Sequence, residues 1–434
     1  MDKPNGLSAS GQPLRASTRA LVAWALYDWA STPFATLIVT FVFPAYFARA
    51  VVGDEVRGQA LWGYVIAIAG LAIAVLTPVL GAIADAGGRR KPWQLAFSAL
   101  CIVACALLWF IQPDRTFVGW AIFLVVIANI SYVSATVFNN AILPDLVPEE
   151  RVGRLSGWAW GLGYTGGLAA LLLMLFVFMQ HEFSWLDRTR FEHVRIVGPL
   201  VALWFVLFMW PLFLWTPDRE SSGLNIVAAI RGGLANLKIS LGCLAAQKNI
   251  LRFLIAQMLY ADALVAIFAI GGIYAAGAFG MTIAEVTGFA ILLNVTAGLG
   301  AFAFAWVDDW IGSRRTILIA LAGLIVTSSM AVLIHDPMWF WIVGAMLGLF
   351  VGPAQAAARS LMARLAPKGQ ETEFFGLFAL SSRATAFLGP TLVGIVTSAS
   401  GSQRIGLASL LVLLIAGALL LLGVSEPHRK ITVS

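Results

Sequence analysis

Apolar residues run through the chain in twelve long, nearly charge-free stretches between Leu21 and Gly423, separated by polar interruptions. They fall at 21–48, 60–84, 94–111, 117–143, 155–179, 196–215, 251–279, 283–307, 316–334, 338–363, 374–398 and 404–423. A helix rising ~1.5 Å per residue needs about 20 residues to cross ~30 Å of hydrocarbon, so each stretch predicts one membrane span. The expected fold class is an all-α polytopic membrane protein of twelve transmembrane helices, numbered 1 to 12 in chain order. Only the interruption at 216–250 is long. It divides the chain into a tail (1–20), a six-helix bundle (21–215), a linker (216–250), a second six-helix bundle (251–423) and a tail (424–434).

Composition agrees. The chain is 60% hydrophobic and 12% charged, where a soluble domain carries roughly 25% charged residues. Lys and Arg set the expected orientation. Of the 28, twenty lie in the alternate connections that include both termini, with Arg359 counted in the connection after helix 10. Seven lie on the opposite side, among them Arg195 and Arg404, and Arg383 is left inside helix 11. Both termini are therefore expected in the cytoplasm. The net charge of +6 follows from this asymmetry and gives no reason to expect nucleic acid as a partner. No cleavable signal peptide is expected, because the first apolar run is too long for one. Cys101 and Cys105 read as packing residues and Cys243 falls in the linker, so no structural disulfide is expected. The Asn-x-Ser/Thr sequences at Asn129 and Asn294 lie inside predicted helices. With such compact loops, a bacterial inner membrane is the expected location.

A repeat links the two halves. Helix 2 ends in Gly81, Asp85, Gly88, Arg89 and Arg90, and helix 8 ends in Asp309, Gly312, Arg314 and Arg315. Each copy places Asp, then Gly three residues on, then a basic pair. Gly permits a tight turn, the basic pair meets anionic headgroups, and the Asp can cap a neighbouring helix N-terminus. Tyr beside a membrane-depth acid also recurs, as Tyr27-Asp28 in helix 1 and Tyr260-Ala261-Asp262 in helix 7. Two related halves are the architecture expected for alternating access.

These loops resemble the signature loop of the major facilitator superfamily, whose two six-helix halves rock around a central site. Further phrases are Tyr27-Asp28-Trp29-Ala30, Pro144-Asp145, Ser156-Gly157, Gly352-Pro353, Arg359-Ser360, Phe375-Gly376 and Gly389-Pro390. Together they resemble the vacuolar amino-acid effluxer (autophagy-related) family and its bacterial homologues, over nearly the whole chain. Ala263 and Ala358 stand where that pattern leads us to expect Gly and Ser. The resemblance implies a secondary transporter moving a small polar organic solute, amino acids foremost, by alternating access.

Charges at membrane depth carry the sharpest chemistry, since each costs about 2.5–3.5 kcal/mol near a helix centre. Asp28, Asp262 and Arg383 are those charges. In one reading Arg383 pairs permanently with one carboxylate and fixes packing. In the other a carboxylate titrates during the cycle, which makes Asp28 and Asp262 the proton-coupling candidates. Arg383 offers a bidentate fork for a substrate carboxylate. Tyr27, Tyr260, Asn129, Tyr132, Gln257, Asn294 and Gln355 complete the substrate-binding candidates. Gly157/Gly161 and Gly163/Gly167 give helix 5 two small-residue stripes. Helix 4 lacks the deep Arg-x-x-x-Gly of proton-driven drug exporters. Without a metal-ligand cluster, phosphate-cradling loop or Ser/His/Asp set, no enzyme activity, metal or cofactor is expected. The expected partners are the lipid bilayer, a small solute and protons, and no oligomer is required. An amphipathic or lipid-like cargo is the alternative, and a membrane-embedded enzyme or receptor the remote one.

Overall fold

Twelve helices long and apolar enough to cross a membrane stand among the described residues. Helices 1 to 6 are Thr18–Val52, Arg57–Gly87, Lys91–Phe110, Arg115–Leu146, Glu149–Met179 and Glu192–Trp215. Helices 7 to 12 are Lys248–Gly272, Gly288–Ile311, Ser313–Leu333, Pro337–Leu365, Glu371–Ser400 and Gln403–Leu422. The computed structural model describes residues 16–426, apart from 182, 225, 245, 246 and 384. Lys3, Arg15, His428, Arg429 and Lys430 lie outside the described residues, as does the side chain of Cys243.

The spans agree with the apolar pattern, and the structure extends several of them into the charged flanks. Arg359 therefore belongs to helix 10, where it is buried, and not to the connection after it. Arg195 and Arg404 likewise move from loops into helical turns. Between helices 6 and 7 the linker forms a helix, Ile226–Leu244. Ala229, Gly233 and Leu237 make its inner face, and Gly233 lies against Ile83 of helix 2.

Each half closes on itself by the same device, at the end of the bundle away from the termini. In the first half the Tyr46 hydroxyl donates to the Ile111 carbonyl (2.7 Å), and Arg195 donates to the Trp109 carbonyl (2.9 Å). In the second the Tyr274 hydroxyl donates to the Ala331 carbonyl (3.0 Å), and Arg404 donates to the Val332 carbonyl (2.6 Å). The acceptors are the unsatisfied carbonyls at the ends of helices 3 and 9, which need partners in a membrane. One Tyr and one Arg thus tie three helices together in each half.

The halves meet along two seams on the termini side. Helices 2 and 11 touch where a Cβ on Gly81 would lie 2.5 Å from the Thr372 carbonyl oxygen. Helices 5 and 8 touch where a Cβ on Gly157 would lie 2.5 Å from the Ala305 side chain. The second glycine stripe of helix 5 faces helix 1 instead, at Thr32 and Thr36. On the opposite side the halves part. A cleft of about 510 Å³ remains there between helices 1, 5 and 8. The backbone beside it winds as π-helix over Phe34–Phe41, Phe47–Val52 and Met174–Met179. The structure is closed at the termini side and open at the other.

Helix 11 is broken. It is helical over Glu371–Arg383 and again over Leu388–Ser400, with a turn at 385–387. Non-helical backbone at membrane depth is tolerated where protein or a cavity surrounds it.

Candidate functional site

The closed side is held by two ionic clusters built from the repeated loops. Gly88 and Gly312 end helices 2 and 8 with φ of +85° and +95°, a region open to glycine at no steric cost. Behind Gly88, Asp85 reaches across the seam to helix 11. It accepts the Thr372 hydroxyl (2.7 Å) and the Glu373 backbone N–H (2.9 Å), capping that helix's first turn. Arg90, fully buried, donates to Asp85 (3.0 Å), Asp145 (2.9 Å), Glu371 (2.7 Å) and the Ala141 carbonyl (2.7 Å). Arg219 joins Asp145 and Glu371, each at 2.8 Å. Burial opposes the charge on Arg219. Its hydrogen bonds to Glu371 and Asp145 override that and hold the guanidinium well above its ordinary range. Arg89 is exposed.

The second copy uses different members. Arg364 is its hub, donating to Asp308 (2.7 Å) and Glu426 (3.0 Å) and to the Ser313 hydroxyl. Asp308 rather than Asp309 takes the short hydrogen bonds. Asp309 makes longer ionic contacts, with Arg154 at 3.4 Å and Arg364 at 3.7 Å. Arg314 donates to the Leu421 and Leu422 carbonyls, and Arg315 points outward. A further symmetry is invisible in the motif. Asp218, after helix 6, accepts the backbone N–H groups of Arg90 and Lys91 (3.0 and 3.3 Å). Glu426, after helix 12, accepts those of Ser313 and Arg314 (3.0 and 3.1 Å). Each acid satisfies the orphan N–H groups that open the third helix of its half.

Deeper in, Asp28 has a partner that the sequence did not indicate. Arg359 of helix 10, not Arg383, pairs with it at 2.6 Å. The same guanidinium donates to the Ser156 hydroxyl (2.9 Å) and carbonyl (2.6 Å) of helix 5, and reaches Asn140 of helix 4 (3.4 Å). Trp24 and Trp160 cover it, with ring centroids 5.0 and 5.6 Å from its central carbon. Arg359 thus binds three helices of the first half. Two aromatic faces exclude water around a charge-assisted pair, which strengthens it.

Asp262 and Arg383 have no such match. Asp262 is fully buried, and neither carboxylate oxygen has a hydrogen-bond partner among the described residues. Thr385, within the turn that breaks helix 11, lies beside it. Arg383, on the last turn before the break, is half-buried. It has no carboxylate at ion-pair distance among the described residues, and Tyr132 of helix 4 lies nearby. Tyr132 lies within electrostatic reach of both Arg383 and Asp28 and packs on Phe34 at 5.0 Å. Among the described residues, the arrangement leaves one base, Arg383 of helix 11, and one acid, Asp262 of helix 7, without an ion-pair partner near the break in helix 11.

The other candidates scatter. The Tyr27 hydroxyl is bonded to Ser98 of helix 3 (2.7 Å), so it fixes packing within the first half. Tyr260 is buried against Gly417 of helix 12. Gln355 accepts the Tyr164 hydroxyl (2.5 Å), bridging the halves. Asn294 is turned back onto the Ala290 carbonyl (2.9 Å) at the inner end of the cleft. Asn129 and Gln257 are buried, and the Gln257 carbonyl oxygen has no partner among the described residues.

Twelve spans, a repeated loop sealing one side, and buried charges between the halves define a transporter of the major facilitator class. The comparisons agree. The E. coli fucose:proton symporter FucP superposes with a TM-score of 0.67 at 16% identity, over 94% of this chain and 98% of that one. An uncharacterized MFS-type transporter of Bacillus subtilis, YxiO, is 24% identical over 93% of this chain and 94% of its own length. Autophagy-related protein 22 of Coccidioides immitis is 25% identical over 87% of this chain and 75% of its own. The family model "Vacuole effluxer Atg22 like" matches residues 16–433. The chain belongs to that family and is an integral, multi-pass membrane protein.

Proposed function

We propose that this protein exports small zwitterionic solutes, amino acids foremost, in exchange for protons. The observation that carries this reading is the pair of uncompensated charges at the helix 11 break, Arg383 and Asp262. Arg383 receives the solute's carboxylate through its bidentate fork. Asp262 receives either the ammonium group or a proton. One carboxylate that holds one or the other, never both, couples the two by competition, which is antiport. A proton entering down 100 mV contributes about 2.3 kcal/mol, roughly a fifty-fold gradient of a neutral solute.

Asp28 and Arg359 serve as the inner lock. Their bond spans the halves and must part when the termini side opens. With the termini in the cytoplasm of a bacterium, as the Lys and Arg distribution favours, the structure is the outward-facing state. The reading is tested by purified protein in liposomes loaded with a mixed panel of labelled neutral amino acids. Release that accelerates when the outside is made acid supports it. No release from demonstrably folded protein would overturn it.

A further inference from the structure

We propose that the linker helix, Ile226–Leu244, is a lipid-binding arm. It lies in the headgroup region of the leaflet on the termini side and takes anionic phospholipid headgroups on Arg231 and Lys238.

The connections fix where this helix lies. Ahead of it, the Ser222 N–H donates to the Gly87 carbonyl (3.0 Å), at the end of helix 2. Behind it, Lys248 opens helix 7 four residues after Leu244. Both ends are held at the termini-side limit of the spans, so the helix runs along the membrane surface. At mid-length a Cβ on Gly233 would lie 2.7 Å from the Ile83 backbone, so the linker helix and helix 2 touch backbone to backbone. Ile83 precedes the end of helix 2 at Gly87 by four residues, a depth of about 6 Å at ~1.5 Å per residue. Interfacial helices bury their apolar face about 5–10 Å into the boundary of headgroups and acyl chains. The linker helix is at that depth.

Its side chains match. Ala229, Gly233 and Leu237 form the buried face toward helix 2. At ~100° per residue, Ile230, Leu234 and Val227 make the adjacent stripe, about 60–120° round from Gly233. All three are exposed. Arg231 and Lys238 follow at about 140–160°; they are exposed and belong to no ion pair among the described residues. No Asp or Glu occurs in 226–244 to neutralise them. An apolar stripe edged by two basic residues fits an anionic bilayer surface. The stripe enters the acyl chains, and the long stems of Arg and Lys carry their charges back to headgroup level. The opposite flank, with Gly232, Asn236 and Ile239, has no charge to offer.

The test uses the full chain with its three native cysteines replaced and a fluorescent dye on Leu234→Cys. The protein sits in nanodiscs of phosphatidylcholine and phosphatidylglycerol in equal parts, with bromine on the acyl chains of one lipid at a time. Bromine quenches by contact, so the two quenching strengths report which lipid lies at the helix. Phosphatidylglycerol should win by tenfold or more at low salt, since each basic residue near an anionic surface is worth about fivefold. High salt should shrink that preference. Arg231→Gln/Lys238→Gln should erase it while leaving the quenching itself, because the stripe stays among acyl chains. A dye on Asn236→Cys, on the opposite flank, should be quenched far less. Equal quenching by both lipids in the protein with Arg231 and Lys238 intact would overturn the proposal by denying charge recognition. Quenching no stronger at Leu234→Cys than at Asn236→Cys would overturn it too, by showing the stripe covered by water or protein. No solute is present, so neither result bears on the solute reading.

Discussion

Asp28→Asn tests the lock most sharply, because it keeps the side chain's shape and removes only its charge. In the closed state it leaves Arg359 without its carboxylate, covered by Trp24 and Trp160. Removing one partner of a buried pair costs about 3–5 kcal/mol. The two bonds to Ser156 (2.9 and 2.6 Å) remain, so the lower end, about 3 kcal/mol, is the reasonable figure. When the termini side opens, Arg359 gains water and loses this penalty. The closed-to-open ratio should therefore fall by roughly a hundred-fold. Spin labels at Glu150, in the first turn of helix 5, and Arg315, in the first turn of helix 9, both exposed and on opposite halves at the termini side, report the separation, with the three native cysteines replaced. Asp28→Asn should add a longer-distance population that the parent lacks. The double variant Asp28→Asn/Arg359→Gln removes both charges and should return most of the closed population. Unchanged distances in a folded Asp28→Asn protein would refute the lock.

Three further outcomes follow from the same geometry. Arg383→Lys should weaken a carboxylate-bearing solute by about tenfold while sparing an amide analogue, because Lys offers no planar fork; competition binding in detergent reads this directly. Asp262→Asn should abolish acceleration by a pH gradient yet leave amino-acid homoexchange measurable in liposomes, since Asn cannot take up the proton. Tyr46→Phe and Tyr274→Phe should each cost about 1 kcal/mol of stability by orphaning one helix-end carbonyl. Their effects should add, because the clamps share no residues; thermal unfolding of the two singles and the double checks it.

The spans were legible because hydrocarbon imposes length and apolarity on each segment independently. The repeated loops were legible for a related reason: a turn, an acid and a basic pair stand contiguously in the sequence. What joins distant segments was not. Arg359 sits only four residues from the end of the predicted helix 10, so its charge counted with the connection. Only the approach of helices 1, 5 and 10 reveals it as the partner of Asp28. Asp28 and Asp262 look alike in sequence, each beside a Tyr. They differ in the fold because one meets a guanidinium and the other meets Thr385 at a helix break. That break lies one turn before Gly389-Pro390, and Pro390 has no N–H to give the Ala386 carbonyl four residues back. The proline is visible in the sequence; the side chains that the break brings together are not. Asp218 and Glu426 escaped notice since a single acid after an apolar run is common. The residues they cap lie more than a hundred positions away.

Proton counterflow is the most direct test of the antiport claim. Liposomes holding the protein, a pH-sensitive dye and a concentrated neutral amino acid are diluted into solute-free buffer, with the membrane potential clamped. The account predicts that solute exit acidifies the interior, and that Asp262→Asn abolishes the acidification. Solute exit with no proton entry in the unmodified protein would contradict it.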